Sequence, residues 1–488
     1  MRKLPFGRQE FRGIINDGCI YVDKTRDIYD LLEGKYYFLS RPRRFGKSLL
    51  LNTIKELFLG NKELFQGLWI YDKWEDWTPY PVIKISFAGI DYQNLGLKEA
   101  ISSELEEIAL ACEVELKATT YPKKFRELIR RLATPERGVV ILIDEYDKPI
   151  IDYMDDIPQA EANRDILKNF YSVIKDADSY IRFFFVTGVS KFSQVSIFSD
   201  LNNLKDITLH PQYATMLGWT EDEVTGNFED YLQRLAESYQ SDDMLPRIRE
   251  WYNGYSWDGH SRVYNPVSLM NVFDELVFRN YWFSTGTPTF LMKYIKQENY
   301  TAFDLETSYL TTQFMDKYEI GEINLIPLLF QTGYLTIQTY DINEGLIYLQ
   351  YPNKEVELAF SEHMLTELVP EKRDKAYNLL LGLRDKLAAY ELEEFVASLN
   401  GLLGGIPYTL VSSEEKYFHS LFYLVMKILG FRINAEIMTI KGRIDAAIET
   451  REYIFVLEFK INQSAEKAIA QIRERGYAEK YADDPRKV

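Results

Sequence analysis

Tyr36-Tyr37-Phe38-Leu39-Ser40-Arg41-Pro42-Arg43-Arg44-Phe45-Gly46-Lys47-Ser48 joins two kinds of sequence. An aromatic and aliphatic run stops at a turn rich in Pro and Arg, and Gly46-Lys47-Ser48 then opens an apolar segment from Leu49 to Leu59. This order predicts a strand, a phosphate-cradling loop and a helix. In such a loop the backbone N–H groups and the helix N-terminus face an anion, Lys47 reaches the β- and γ-phosphates, and the Ser48 hydroxyl ligates Mg²⁺. The candidate nucleotide-binding residues are Arg43, Arg44, Phe45, Gly46, Lys47, Ser48 and Leu49. The pattern G-x-x-x-x-G-K-[ST] is met except at its first glycine, where Arg41 stands. A basic turn that merely caps a helix is the competing reading, and the flanking strand and helix favour ATP.

The chain has 488 residues, enough for two to three domains with large cores. A hydrophobic content of 46% with 27% charged residues is that of a globular protein. No apolar run approaches the roughly 18 residues of a membrane span, and Met1–Gly13 lacks the apolar core of a signal peptide. Two cysteines, Cys19 and Cys112, rule out a disulfide framework or a Cys-based zinc site, and the four histidines show no ligand spacing. The expected compartment is the cytosol. The net charge of −17 argues against passive coating of nucleic acid, though not against a nuclease confined to one domain.

Before the first strand, Phe6 or Phe11 is a candidate to stack on a purine, with packing on the sheet edge the simpler expectation. After the loop, strands are predicted at Pro81–Phe87, Gly138–Ile143 and Ile181–Val186, with helices at Leu97–Cys112 and Phe125–Leu132 between them. The continuous apolar run Gly138–Ile143 suits a strand covered on both faces, and it ends in Asp144-Glu145. About a hundred residues after a phosphate loop, that pair forms the second half of an ATPase site. Asp144 would hold Mg²⁺ through a water, and Glu145 would polarise the attacking water. Thr187 or Ser190, just past the next strand, is the candidate γ-phosphate sensor, with a plain turn the equal alternative. Contact of Arg43 and Arg44 with phosphate, or their solvation, is left open by the sequence.

These segments resemble a known family. Ser40–Ser48, Leu142-Ile143-Asp144-Glu145-Tyr146-Asp147-Lys148-Pro149 and Thr187-Gly188-Val189-Ser190 are similar to motifs of the bacterial AAA-ATPase-like family. Its members typically carry a C-terminal PD-(D/E)XK nuclease-superfamily domain. The likeness extends to Tyr21-Val22-Asp23-Lys24-Thr25, Trp251-Tyr252-Asn253-Gly254-Tyr255 and Val263-Tyr264-Asn265-Pro266. The resemblance implies an ATP-binding domain fused to a nuclease-like one, and it makes Arg41 normal for the family.

Between Gly218 and Asp385 the sequence says least about chemistry. Thr220-Glu221-Asp222-Glu223 is a capping-box start for a helix carrying Val224, Phe228, Leu232 and Leu235. Tyr255–Tyr264 reads as a small hairpin turning at Asp258-Gly259, and Tyr334–Tyr340 with Leu346–Tyr351 as another around Asn343-Glu344-Gly345. Helices with a short hairpin suggest a winged-helix-like connector. Leu403–Pro407 is the clearest break before the last domain.

The C-terminal segment predicts a helix at Glu414–Leu429, strands at Arg432–Ile440, Arg443–Thr450 and Tyr453–Lys460, and a helix from Ser464 to about Tyr481. In the third strand both faces are apolar until Glu458 and Lys460 appear at one end. If Arg451-Glu452 is a two-residue hairpin turn, Asp445 falls opposite Glu458, about 5 Å away on the same face. Two such carboxylates can share a divalent ion, and without a cation their closeness is unfavourable. Lys460 would orient or deprotonate the attacking water, and Gln471 on the following helix would position substrate or water. A salt-bridge cluster at a solvated hairpin end is the alternative. Phe431–Val488 holds 11 Lys/Arg and 10 Asp/Glu, so the acidity lies elsewhere. The helix–three-strand–helix order resembles the PD-(D/E)XK core, whose further strand would start where the sequence stops, at Pro485–Val488; the domain therefore looks truncated.

The fold expected is α/β. It comprises a P-loop NTPase (ASCE/AAA-like) parallel-sheet domain at 1–217, a mainly helical connector at 218–385, and a restriction-endonuclease-like α/β domain at 386–488. The function expected is a Mg²⁺-dependent ATPase coupled to a metal-dependent nuclease. ATP and Mg²⁺ are the cofactors, with metal ligands Ser48, Asp144, Asp445 and Glu458. The catalytic residues are Glu145, Asp445, Glu458, Lys460 and Gln471, with Thr187 at the nucleotide. The partner is nucleic acid, DNA in the first place, with no membrane and with a homo-oligomer left open. The alternatives are a nucleotide-switched interaction module that binds without cutting and, more weakly, a phosphotransferase.

Overall fold

A computed structural model of the chain describes residues 1–191, 197–198, 201–282, 309–311, 324–341, 343–368, 382–387, 389–403, 415–429, 431–439, 442–450, 452–460 and 463–488. The described residues up to 354 form one compact unit and those from 355 form a second.

The first unit is built on a five-stranded sheet. Its strands are β1 (Tyr36–Ser40), β2 (Val82–Ser86), β3 (Val139–Asp144), β4 (Ile181–Gly188) and β5 (Lys205–Asp206). All pairings are parallel, in the order β2-β3-β4-β1-β5. Every residue of β1 and β3 is buried, as expected for strands with helices on both faces. The order matters for function, because β4 is inserted between β1 and β3. Ser40 pairs with Gly188 and Leu39 with Thr187, so the end of β4 lies between the phosphate loop and Asp144.

Helices Lys47–Phe58, Leu97–Ala111, Tyr121–Leu132 and Ile157–Asp176 fill the crossovers. The first starts after Gly46, whose φ of +95° lies in the left-handed region that glycine enters without a Cβ clash. Phe58, Phe183 and Phe185 pack ring on ring beside this helix. Each fully buried aromatic contributes roughly 1.5–3 kcal/mol of hydrophobic burial.

The middle region is helical, with helices Glu221–Asn227, Glu229–Tyr239, Leu245–Tyr252 and Pro266–Glu275. The capping box at Thr220 and Glu223 forms with both of its hydrogen bonds. The predicted single helix breaks at Phe228, whose ring is buried with Val224 and Leu235 in one cluster that also takes in Ile20 and Val22. The first predicted hairpin is reduced to one rung between Tyr255 and Val263, with Gly259 at φ +78° in the turn. The second forms as β7 (Thr336–Asp341) and β8 (Leu346–Gln350), and β8 also pairs with an unexpected strand, β6 (Tyr309–Thr311).

In the second unit, β9 (Arg432–Thr439), β10 (Gly442–Glu449) and β11 (Ile454–Leu457) form an antiparallel sheet in the order β11-β10-β9. Helices Glu415–Ile428 and Ala465–Arg475 flank it in sequence. Arg451 and residues 404–407 of the predicted break lie outside the described residues. Lys487 makes a parallel bridge with Tyr453: Ile454 N donates to Lys487 O at 2.8 Å, and Lys487 N donates to Glu452 O at 3.1 Å. Lys487 thus lies alongside the residues that lead into β11. Among the described residues, no helix is long and apolar enough to cross a membrane.

Candidate functional site

The phosphate loop opens onto a cleft of about 370 Å³ whose lining includes Arg43, Gly46, Lys47, Ser48, Leu49 and Glu145. Lys47 is buried, and its ammonium donates to Arg41 O and Pro42 O, both at 2.9 Å. Burial lowers its pKa, and the nearby Asp144, Glu145 and Asp147 act in the opposite direction. Those bonds hold the ammonium against the backbone of the loop.

Asp144 ends β3 and is buried, and its Oδ1 accepts a hydrogen bond from Thr187 Oγ1 at 2.9 Å. Glu145 follows in a left-handed conformation at φ +51°, which turns it out of the strand and into the cleft lining. A non-glycine residue there carries strain of the kind concentrated at functional sites. Burial raises the Glu145 carboxyl pKa, with Lys47 opposing. Of the two sensor candidates, Thr187 is the one on Asp144. Ser190 instead donates to Asp147 Oδ2 through both its N (2.6 Å) and its Oγ (2.7 Å).

Asp147 escaped the sequence reading. It is fully buried and also accepts from Val189 N, so one carboxylate pins the whole turn after β4. The only available signal was its place in the Asp144–Asp147 run. Neither Phe6 nor Phe11 lines the cleft. Phe11 is buried against Tyr21 and Phe65, at 5.0 and 4.9 Å between ring centres. The apolar wall comes instead from Val22, Met216, Leu217, Trp219, Pro266 and Met270, from segments far apart in sequence.

The three loop arginines part company. Arg41 is 1% exposed and donates to Ser40 O, Thr208 O and Tyr213 O at 2.9, 2.8 and 3.1 Å. Its guanidinium lies 4.1 Å from the ring centre of Trp257. Arg44 donates to the carbonyls of Tyr281 (2.8 Å) and Trp282 (3.1 Å). Phe45 is buried edge-on to Tyr255 and Trp257. Arg41 and Arg44 thus grip the protein, and Arg43 is exposed at the cleft.

In the second unit, the β10–β11 ladder pairs Ala446 with Leu457 and Glu449 with Ile454. The ladder stops at the Ala446–Leu457 pair, because β11 ends at Leu457 rather than running on to Lys460 as predicted, and Asp445 and Glu458 each follow directly beyond it. Asp445 Oδ2 accepts from Phe459 N at 2.9 Å. The Glu458 side chain is 1% exposed, and its Oε1 accepts from Lys460 Nζ at 2.6 Å and from Gln471 Nε2. The four predicted residues are therefore gathered at the end of one hairpin and the helix beside it. Two such carboxylates suit a hard divalent ion that takes one or two protein oxygens and completes its shell with water and phosphate. Among the described residues, no group of three or more His, Cys, Asp or Glu forms a fuller metal cage.

Comparison with known proteins agrees with both halves. Residues 5–198 match the model of a family described as "Predicted AAA-ATPase", and residues 413–488 match that of the PD-(D/E)XK nuclease superfamily. An "Uncharacterized protein in vnfD 5'region" of Azotobacter chroococcum mcd 1 is 40% identical, over 98% of this chain and 94% of its own length. The chain belongs to the AAA-ATPase-like family, with a PD-(D/E)XK nuclease-superfamily domain at its C-terminal end.

Proposed function

We propose that the protein hydrolyses ATP in the first unit and uses its nucleotide state to control a metal-dependent nuclease in the second, acting on DNA phosphodiesters. The observation that carries this reading is the gathering of Asp445, Glu458, Lys460 and Gln471 at one end of the β10–β11 hairpin, with Glu458 bonded to Lys460 and Gln471 and Asp445 to the Phe459 N–H. Asp445 and Glu458 would hold Mg²⁺, which supplies Lewis-acid stabilisation of the pentavalent phosphate when bound. Lys460 orients or deprotonates the attacking water, and Gln471 keeps Glu458 in place. At the ATP site, Lys47 would take the phosphates, Ser48 and Asp144 would hold a Mg²⁺ that neutralises phosphate charge when bound, Thr187 orients Asp144, and Glu145 receives the proton of the attacking water. The three-part division at 217/218 and 385/386, a cytosolic location and the option of a homo-oligomer belong to the same reading.

The Glu458–Lys460 ion pair favours one rival, a nuclease-like domain that binds nucleic acid without cutting it. Cleavage of plasmid and single-stranded DNA with Mg²⁺ or Mn²⁺, with and without ATP, separates the two. Cleavage that disappears in Asp445→Asn and changes with ATP is the expected result. ATP turnover with no cleavage under any of these conditions refutes the nuclease assignment.

A further inference from the structure

Within four residues the phosphate loop holds three cations whose environments differ in kind. Arg41 is walled in by three carbonyls and Trp257. Arg44, at φ +70°, also lines the cleft, but its guanidinium is bonded to the carbonyls of Tyr281 and Trp282. Arg43 lies between them, exposed on the lining of the cleft. It makes no hydrogen bond or ion pair with any described residue. A guanidinium with no structural work, held between two that have it, is placed for a ligand.

Its position says which part of the ligand. The Lys47 ammonium is 2.9 Å from Pro42 O, and that oxygen belongs to the peptide that leads directly into Arg43. Standard backbone geometry then puts the Arg43 Cα within about 6 Å of the ammonium, well inside a guanidinium's reach. The positive charge of Arg43 helps to depress the Lys47 pKa. Glu145 lines the same cleft, so Arg43, Lys47 and Glu145 border one space. A triphosphate whose β- and γ-groups meet Lys47 would set its last phosphate beside Arg43.

We propose that Arg43 is a catalytic arginine supplied by the loop itself, bonded to the γ-phosphate of ATP. The proposal rests on the ATPase reading above. In the reaction, water adds to the γ-phosphorus as the bond to the β,γ-bridging oxygen breaks. The electron pair leaves on ADP, and Glu145 takes the water proton. Charge builds on the γ-oxygens and the bridging oxygen, and a planar guanidinium donates to both at once. Lysine at this position keeps the charge but loses the fork. Because the γ-phosphate is the contact, Arg43 separates ATP from ADP, whereas Lys47 serves both.

The experiment compares wild type, Arg43→Ala and Arg43→Lys in the full-length chain. It measures steady-state ATP hydrolysis, together with the affinities of fluorescent ADP and of a fluorescent non-hydrolysable ATP analogue. Arg43→Ala should lower kcat on the order of 10³-fold, within the range for an arginine finger. It should weaken the ATP analogue about tenfold or more and leave ADP within about threefold, as expected for loss of a charge-assisted hydrogen bond to one phosphate. Arg43→Lys should recover much of the binding and little of kcat. The exposed, unbonded position predicts an unchanged melting temperature in both variants, which excludes misfolding as the cause. Hydrolysis by Arg43→Ala within threefold of wild type overturns the proposal and leaves the ATPase reading standing, as does an equal loss of ADP and ATP affinity. A wild-type protein that neither binds nor hydrolyses ATP overturns both.

Discussion

Restoring the missing first glycine of the phosphate loop should damage the protein. Arg41→Gly removes a guanidinium that is 1% exposed, donates to three carbonyls at 2.8–3.1 Å and lies 4.1 Å from the Trp257 ring centre. Each hydrogen bond from a charged donor contributes about 1.5–3 kcal/mol, and a desolvated cation–π contact about 2 kcal/mol. Relief of the buried cation's desolvation, several kcal/mol, offsets part of that loss. The same desolvation pulls the Arg41 pKa down to about 9. Glycine adds backbone freedom to the unfolded chain, worth about 0.5–1 kcal/mol. The balance is a loss of about 3–5 kcal/mol. A unit of this size loses roughly 2 °C of melting temperature per kcal/mol, so Arg41→Gly should melt about 8 °C earlier by scanning fluorimetry at a matched scan rate. Arg41→Lys, with a single-point donor, should fall between the two. A melting temperature within about 1 °C of wild type, with ATP binding retained, would refute the structural role of Arg41.

Thr187→Val keeps the shape and removes the hydroxyl that donates to Asp144. Loss of a hydrogen bond to a charged group, about 1.5–3 kcal/mol, should lower kcat for ATP about 10- to 100-fold, and steady-state kinetics with a melting curve will show whether the fold is spared. Gly188→Ala would bring a Cβ to 2.5 Å from the Tyr146 ring and 2.7 Å from Asp147 Oδ1. Since both neighbours are buried, overpacking of about 1–3 kcal/mol should appear as a lower melting temperature. Glu145 is a carboxyl with a raised pKa, so the folded state binds its proton more tightly than the unfolded state does. Its ionisation therefore withdraws stability as pH rises from the ordinary glutamate value through the raised one. Glu145→Gln should melt above wild type at pH 8, and the gap should close towards pH 4; a gap that widens on acidification would contradict the burial effect. ATP hydrolysis by wild type should fail on the acid side as Glu145 protonates.

The reach of the sequence followed the range of the interactions involved. The β10–β11 hairpin and its register up to Ala446–Leu457 were legible because period-two alternation and a short turn fix a hairpin's register locally. Gly46-Lys47-Ser48 and Asp144-Glu145 were legible because strand, loop and helix signals flank them. The three loop arginines looked alike, since what separates them is burial against Thr208, Tyr213, Trp257 and Tyr281, residues more than 160 positions away. The cleft wall at Met216–Trp219 and Pro266–Met270 was hidden for the same reason. The break at Phe228 was missed because helical spacing continues through it, while the capping box marked only the start. At Pro485–Val488, where a further strand was expected to start, one parallel rung joins Lys487 to Tyr453, and a single rung leaves no periodic pattern to read.

The contact of Arg41 and Phe45 with Trp257 also has an optical consequence. An indole whose face carries a guanidinium and whose edge meets a phenyl ring emits according to where those two groups stand. Both groups belong to the loop between β1 and the helix that starts at Lys47. Nucleotide bound at the proposed site should therefore change the Trp257 emission. A titration followed at tryptophan emission, with Trp257→Phe as the dark control, reads the loop without any attached dye.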